Sequence, residues 1–177
     1  MTKVQAMGAV SGLLRKERVG HHLETPMSAD GGLVALEDVD CIHLTWFLDN
    51  ALRELQITCA FRDGWLDILG FPDIAGGPVE MSERGAEEVI RFLNEVNSHA
   101  KFGCVFYLDT ETHDIACAGR ILYSLLDRAP DYAVHMIEGI WEFFHDIGDE
   151  LMDVAQGRLT AREAFRMVLD KGWGMDY

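Results

Sequence analysis

The fold is decided by residues 42–70, which read IHLTWFLDNALRELQITCAFRDGWLDILG. In three short runs of this stretch, 42–48, 55–61 and 66–70, apolar side chains recur at every second position, which is the period of a strand with one buried face. Residues 62–64, Arg-Asp-Gly, separate the second run from the third, and an Asp-Gly pair between apolar runs is a strong hairpin signal. The stretch therefore predicts three antiparallel strands in a meander.

Downstream of this meander, the sequence predicts two helices and a second hairpin. Apolar residues recur every three to four positions over residues 82–99 and again over 131–155, which is typical of amphipathic helices. Between these helices, the β-rich runs 104–108 and 115–121 are joined by a polar turn at 109–114, which favours a pair of antiparallel strands.

Both ends of the chain carry a helix-capping signature. Thr2 with Gln5 forms a capping-box pattern before an apolar repeat that predicts a helix over about 3–17. Thr160 with Glu163 repeats the pattern before a short last helix that ends at residues 171–172. The predicted order is therefore α-β-β-β-α-β-β-α plus a short C-terminal helix. This order predicts an α+β fold with an antiparallel sheet of about five strands and helices packed on one face.

Two glycine-containing and proline-containing stretches predict loops. Residues 20–32 predict a linker, and residues 72–78 predict a loop that closes the meander. We therefore expect an N-terminal helix and linker over residues 1–32 and a single α+β domain over residues 33–177.

Composition narrows the class of protein. The chain has 177 residues, a formal net charge of −15 and 49% hydrophobic residues, which suits a globular domain with one core. Such an acidic balance disfavours nucleic acid and anionic membranes as partners. No apolar run reaches the ~18 residues of a bilayer-spanning helix, and residues 1–8 do not resemble a secretion signal.

The four cysteines predict reduced thiols and a cytoplasmic location. Cys41, Cys59, Cys104 and Cys117 form no C-x-x-C pair and lie in apolar runs, where a cysteine packs as a small hydrophobe. A bridge between Cys104 and Cys117 across the second hairpin stays open as an alternative, since the two lie symmetrically about the turn.

Three local strings resemble the YbjN-like family of bacterial proteins. They are Trp46 to Asn50 (WFLDN), Phe92 to Asn97 (FLNEVN) and Phe102 to Asp109 (FGCVFYLD). Residues 147–151 (IGDEL) and 157–164 resemble the longer branch of the same family. The resemblance covers about residues 35–165, and its motifs are structural rather than catalytic.

The resemblance implies a role and a set of structural residues. Proteins of the family are often described as sensory transduction regulators, and they share the fold of type III secretion chaperones. In the family, two asparagines near the end of the central helix precede a strand that begins with a small residue, which corresponds here to Asn94, Asn97 and Gly103. We expect the two amides to satisfy the exposed carbonyls of the helix end and the backbone of the following turn, and the alternative is that they line a recognition surface.

No pattern in the chain supports catalysis or a cofactor. The sequence has no Gly-x-Ser-x-Gly, no phosphate-binding loop and no dinucleotide fingerprint. His135 with Glu138 and Glu142 with His145 repeat the i, i+3 ligand spacing of di-iron bundles, but they lie on the acidic flank of one predicted helix. We expect a solvated face, and the alternative is a small metal-dependent enzyme that uses this flank.

Four aromatic residues of the predicted strands are the candidate partner-binding residues, namely Trp46, Trp65, Phe106 and Tyr107. One face of the sheet must be covered by helices, while the other can present apolar side chains to a peptide. We therefore expect a non-enzymatic binding or regulatory module that holds an unidentified partner polypeptide on its exposed sheet face or edge. A homodimer, with or without another ligand, is the structural alternative.

Overall fold

The computed structural model describes residues 1–24, 41–73, 81–99 and 103–172. Within these ranges the chain forms one six-stranded sheet and five helices. The strands are β1 (His22–Glu24), β2 (Cys41–Phe47), β3 (Glu54–Phe61), β4 (Trp65–Asp73), β5 (Cys104–Leu108) and β6 (Ile115–Leu122). The helices are α1 (Lys3–Lys16), α2 (Glu83–His99), α3 (Tyr123–Leu126), α4 (Tyr132–Ala155) and α5 (Ala161–Asp170).

The sheet is antiparallel throughout, in the order β1-β2-β3-β4-β6-β5. Leu44, Ile57, Gly70, Cys117 and Phe106 are consecutive partners across five strands, and all five are buried. Because side chains alternate along a strand, this register puts every second residue of each strand on one buried face, which we call the inner face.

Helix α4 packs directly on the inner face, where two strands carry glycine. A Cβ at Gly70 would come within 2.7 Å of Ile140 Cγ2, and at Gly119 the side chain of Met136 fills the same space. The missing side chains therefore let the helix approach the sheet backbone. Helices α1, α2 and α5 each contact α4, so all four long helices lie on the inner side.

The α+β class, the antiparallel sheet and the helices on one side are confirmed. The predicted helices 82–99 and 131–155 each begin one residue later in the structure, and both capping boxes form as their sequences indicate. The meander of β2, β3 and β4 also has the predicted order.

The N-terminal helix belongs to the same hydrophobic core as the rest of the chain. Ala6, Met7 and Val10 are each 1% exposed or less, and α1 contacts both β3 and α4. The predicted linker over residues 20–32 is described only to Glu24, and the division at residue 32 lies outside the described residues. Within that linker, the structure has strand β1, which pairs with β2. Three residues without alternation give no strand signal, so pairing with the neighbouring strand decides their conformation.

Two other differences concern short segments. Strand β4 continues to Asp73, whereas a loop was predicted from residue 72, and the rest of that loop lies outside the described residues. Pro72 is tolerated because the pairing of β4 with β6 ends at Gly70. The single turn α3 was not predicted. It is held by Tyr123, whose hydroxyl donates to the carbonyl of Arg62 at 2.7 Å.

The hairpin between β2 and β3 is tied to the middle of α4. Asn50 Nδ2 donates to the carbonyls of Phe144 (2.7 Å) and His145 (2.9 Å). Its carboxamide lies where a Cβ at Gly148 would be, so only glycine leaves room for it. The amide of Ala51 also donates to Asp149 Oδ1 at 2.9 Å. The strings WFLDN and IGDEL, which both carry the family resemblance, therefore contact each other through Asn50 and Gly148.

Candidate interaction surface

The face of the sheet opposite α4 is not covered by any described helix. We call this the outer face, and it consists of Cys41, His43, Thr45, Phe47, Glu54, Gln56, Thr58, Ala60, Trp65, Asp67, Leu69, Phe71, Val105, Tyr107, Ala116, Ala118, Arg120 and Leu122. Its strands pair in register, so that Leu69, Ala118 and Val105 are consecutive partners and Trp65 lies opposite Leu122. The outer face is therefore one continuous surface.

Large apolar side chains on the outer face are strongly exposed. Phe47 is 81% exposed, Leu122 58% and Val105 57%, and Tyr107 and Phe71 are more than one third exposed. Val105 and Tyr107 lie two residues apart on β5, whereas Phe47 pairs with the charged Glu54 at one corner of the face and Leu122 lies beside Trp65 at another. Groups of exposed apolar side chains are typical of interaction surfaces. The surface can bind apolar side chains of another molecule.

One polar cluster lies within this surface. Arg120 Nε donates to Asp67 Oδ1 at 2.7 Å and Trp65 Nε1 donates to Asp67 Oδ2 at 3.1 Å, while the Arg120 guanidinium lies 4.9 Å from the centroid of the Trp65 ring. Burial acts to raise the pKa of Asp67, but these two hydrogen bonds and the positive charges of Arg120 and Arg62 outweigh it and lower that pKa. The cluster keeps the Trp65 ring and the Arg120 side chain in fixed positions.

The structure separates the four aromatic residues that were predicted to bind a partner. Trp65 and Tyr107 lie on the outer face. Phe106 is 1% exposed and stacks on Phe143 in the core, so its predicted role in partner binding is wrong. Trp46 is half-buried on the inner side, edge-on to Trp141 of α4 at 6.3 Å between ring centroids. Trp46 therefore belongs with the helix layer rather than with the outer face.

Sequence reasoning missed four exposed apolar residues of this surface, Phe47, Phe71, Val105 and Leu122. The signal was present in the alternation. Phe47 follows the inward Trp46, and Val105 and Tyr107 flank the inward Phe106. The four candidates were chosen because they are aromatic. The alternation of side chains along a strand places neighbouring residues on opposite faces, so only some of them can be exposed.

Asn97 closes the free edge of β5. Its Oδ1 accepts from the Phe106 amide at 2.8 Å, and its Nδ2 donates to the Phe106 carbonyl at 2.7 Å. The carboxamide thus makes the two bonds that a neighbouring strand would make at this residue. Asn97 thus satisfies backbone groups beyond the helix end, on the strand that follows, rather than the carbonyls of α2. Edge docking of a partner on β5 is obstructed at its centre.

The other two residues of the predicted asparagine motif have different positions. Asn94 is exposed and lines an open groove between α2 and α5. Gly103 begins the approach to β5 with a φ of +39°, and a Cβ there would lie 2.8 Å from the Tyr132 hydroxyl. Glycine is therefore favoured at position 103 both by the positive φ and by the close approach of Tyr132 of α4.

A hydrogen bond in the wall of this groove joins α2 to α5. Glu88 Oε2 accepts from the amide of Ala161 at 2.8 Å, so a carboxylate of α2 caps the N-terminus of α5. This hydrogen bond, together with the charge of Arg91, lowers the pKa of Glu88. The arrangement fixes the N-terminus of α5 on α2.

No disulfide joins the four cysteines. Cys104 and Cys117 lie diagonally on neighbouring strands with their thiols in hydrogen-bond contact, and burial together with Cys104 raises the pKa of Cys117. Burial, with a smaller contribution from Cys41, raises the pKa of Cys59 to about 12. Thiols held in the protonated form are poor nucleophiles and poor metal ligands.

The acidic flank of α4 carries surface contacts between histidines and carboxylates. His135 lies 3.6 Å from Asp131 and 3.5 Å from Glu138, and His145 contacts Asp146 and stacks on Trp141. Within the described ranges, no three His, Cys, Asp or Glu side chains converge as metal ligands would. The flank therefore offers a solvated charged surface.

Comparisons with known proteins give no relative. No protein-family model, curated protein or solved structure matches the chain. In the part of the chain that the structure describes, no helix combines the length and the apolar character that crossing a bilayer requires.

Proposed function

We propose that this protein is a non-enzymatic binding module that holds a partner polypeptide on the outer face of its sheet. The observation that carries the proposal is the group of exposed apolar side chains there, from Phe47 at one end to Leu122 at the other. A sheet face of this composition binds a polypeptide by burying apolar side chains, at roughly 25 cal/mol per Å² removed from water.

The geometry favours docking on the face over docking on the β5 edge. Strand addition needs unpaired backbone groups along an edge, and Asn97 already occupies both groups of Phe106. In this proposal the side chains of the partner pack on the outer-face residues of β4, β6 and β5, from Trp65 to Val105. The backbone of the partner need not be extended.

The family resemblance supports a regulatory version of this proposal. Asn97 and Phe106 come from two of the strings that resemble the YbjN-like family, and Asn50 and Gly148 come from two others. Each of these contacts joins two of the resembling strings, as we expect for residues that maintain a shared fold. We therefore propose a sensory transduction regulator with a type III secretion chaperone-like fold, acting in the cytoplasm, where its four thiols stay reduced.

A selection from a random peptide library tests the proposal. Twelve-residue peptides displayed on phage are selected on the immobilised protein, and the enriched peptides are mapped by amide hydrogen exchange. We expect enrichment of peptides that protect β4, β5 and β6 and lose binding to a Leu122→Glu variant. Met167→Glu, which changes an exposed apolar residue on α5, is the matched control and should bind normally. No enrichment, or protection confined to α4 and α5, contradicts the proposal.

A further inference from the structure

We infer that the partner polypeptide is basic as well as apolar, and that one of its lysine or arginine side chains binds at one corner of the outer face. This corner, which we call the acidic corner, consists of Phe47, Glu54, Phe71 and Asp73. The inference rests on the proposed function, because it names the chemistry of the partner that the same surface holds.

The register of the sheet brings two carboxylates together at the acidic corner. Glu54 of β3 lies directly opposite Asp73 of β4, and on its other side it lies directly opposite Phe47 of β2. Within the described residues Glu54 makes no ion pair. Two like charges directly opposite each other on neighbouring strands repel. A cation bound at this corner relieves that repulsion, so the corner favours a positively charged ligand.

The acidic corner also carries the most exposed large apolar side chain of the described residues. Phe47 is 81% exposed, and Phe71, two residues before Asp73 on β4, is 38% exposed. Directly opposite residues have Cβ atoms about 4.5–5.5 Å apart, and diagonal neighbours lie about 7–8 Å apart. Both rings are therefore within reach of a long side chain whose charged end binds Glu54. Lysine and arginine have an apolar stem and a cationic end that is attracted to aromatic faces.

The rest of the outer face indicates where the apolar residues of the partner pack. Beyond Phe71, the outward residues of β4 are Leu69, Asp67 and Trp65, and Asp67 is paired with Arg120. Trp65 precedes Phe71 by six residues, which corresponds to about 20 Å of strand. The partner therefore places a basic residue at the acidic corner and an apolar stretch of about 20 Å toward Trp65.

Charge separates a basic partner from the other molecules that an apolar face accepts. The chain has a formal net charge of −15, and the register places Glu24, opposite Cys41, on the outer face together with Glu54 and Asp73. A second copy brings the same carboxylates against this face, and nucleic acids and anionic membranes are repelled. A basic segment is attracted at long range and gains a counter-charge for Glu54 on binding.

Three synthetic peptides test the inference on the full chain. Each has twelve residues, with the same six leucine and phenylalanine residues and with lysine, glutamine or glutamate at the other six positions. Fluorescence anisotropy measures their dissociation constants at low and high salt. At low salt we expect the lysine peptide to bind about tenfold or more tighter than the glutamine peptide, and the glutamate peptide to bind weakest. The advantage of lysine should shrink as salt screens the charges.

Glu54→Gln tests whether the cation binds at the acidic corner. It should weaken binding of the lysine peptide about threefold or more and leave binding of the glutamine peptide unchanged, because it removes only a charge. Glu95→Gln is the matched control, since Glu95 is an exposed carboxylate of α2 with no ion pair in the described residues. It changes the net charge equally and should leave both constants unchanged. An equal loss in the two variants indicates attraction to the whole acidic chain and overturns the inference.

Phe47→Ala is a second variant at the same corner, and it should weaken binding of the lysine peptide because the exposed ring is removed. Far-ultraviolet circular dichroism and thermal unfolding confirm that each variant remains folded. A folded Phe47→Ala protein that binds the lysine peptide like the wild type overturns the inference.

Two further outcomes distinguish this inference from the proposed function. Equal affinity for the three peptides, lost in each case in Leu122→Glu, overturns the inference and keeps the proposed function. Library peptides that map to the outer face without an excess of lysine and arginine do the same. If none of the three peptides and no library peptide binds the outer face, the proposed function fails and the inference fails with it.

Discussion

The carboxamide of Asn97 in α2 hydrogen-bonds to both the amide and the carbonyl of Phe106 in the edge strand β5. A helix side chain thus takes the place of a neighbouring strand at this residue. Between these residues the chain leaves α2 and begins β5, and the two bonds hold the ends of that connection together. Asn97 thus joins the helix layer to the sheet at the edge.

Replacing Asn97 with alanine should lower the free energy of unfolding by about 1–3 kcal/mol, because two hydrogen bonds to a partly buried backbone are lost. The Phe106 amide should also exchange its hydrogen faster. Urea denaturation and hydrogen exchange measure the two effects. Asn94→Ala, three residues earlier on the exposed side, is the control and should change stability by less than about 0.5 kcal/mol. Equal effects of the two variants would contradict the role given to Asn97.

Replacing Gly148 with alanine should destabilise the protein, since the new methyl group would overlap the Asn50 carboxamide. We expect a loss of about 1–3 kcal/mol, and the loss should shrink in an Asn50→Ala background, where the space is open. A double-mutant cycle by thermal or urea unfolding measures this coupling. Gly12→Ala in α1 is the control. No atom lies within 4 Å of a Cβ there, so it should be neutral or stabilise by up to about 1 kcal/mol. Additive effects of Asn50→Ala and Gly148→Ala would rule out the contact.

Phe106 and Tyr107 are neighbours in sequence that face opposite sides of the sheet, and their truncations should differ accordingly. Phe106→Ala removes a core side chain stacked on Phe143 and should cost about 3–5 kcal/mol. Tyr107→Ala removes a half-exposed side chain of the outer face and should cost less than about 1 kcal/mol. Urea denaturation of the pair decides which residue the core needs. A larger loss for Tyr107→Ala would reverse the assignment of faces.

Acid should weaken the contact between α2 and α5. The hydrogen bond from the Ala161 amide to Glu88, helped by Arg91, lowers the pKa of Glu88 in the folded protein. A lowered folded-state pKa contributes stability that is fully present above the ordinary pKa of glutamate, about 4.3, and is lost as pH falls through the folded value. Glu88→Gln should therefore be less stable than the wild type at neutral pH, with the difference shrinking in acid.

Urea denaturation of Glu88→Gln and wild type at neutral pH and in acid measures this difference. Glu87→Gln is the control, because Glu87 is exposed and its described partner is Arg91, in a surface ion pair. A difference between Glu88→Gln and wild type that stays constant down to low pH would show that the charge of Glu88 does not stabilise the contact.

The buried thiols should resist alkylation while the protein is folded. Burial raises the pKa of Cys59 to about 12 and raises that of Cys117, so neither forms appreciable thiolate near the ordinary thiol pKa of about 8.5. Iodoacetamide at about that pH should modify the half-buried Cys41 first, and all four cysteines after denaturation. Peptide mass spectrometry over time measures the order. Modification of Cys59 or Cys117 as fast as Cys41 would contradict their burial.

The sequence predicted most of the fold because its elements are long and strongly periodic. The alternation over residues 42–70 and the apolar stripes of α2 and α4 are each long enough to be distinguished from a chance pattern of apolar residues. The elements that were missed, β1 and α3, have three and four residues, and each is held by a partner elsewhere in the chain. Strand β1 needs β2, and α3 needs the turn at Arg62, so neither is encoded locally.

The candidate interaction surface was only half predicted, for a different reason. The sequence showed that one sheet face could remain open, but not that Phe106 faces inward and Val105 outward, since which face the helices cover depends on where α4 packs. That choice is made by Gly70 and Gly119, which open the inner face to Ile140 and Met136. Glycines within strands are weak signals alone and become informative only when a helix is known to cross them.

The shortness of β1 and the closure of β5 by Asn97 limit how the sheet can grow. In the described residues, β1 pairs with β2 over three residues and Asn97 occupies both backbone groups of Phe106 at the centre of β5, so these two stretches of edge offer further chains few unpaired backbone groups. Crowding this protein should therefore yield particles of finite size rather than filaments.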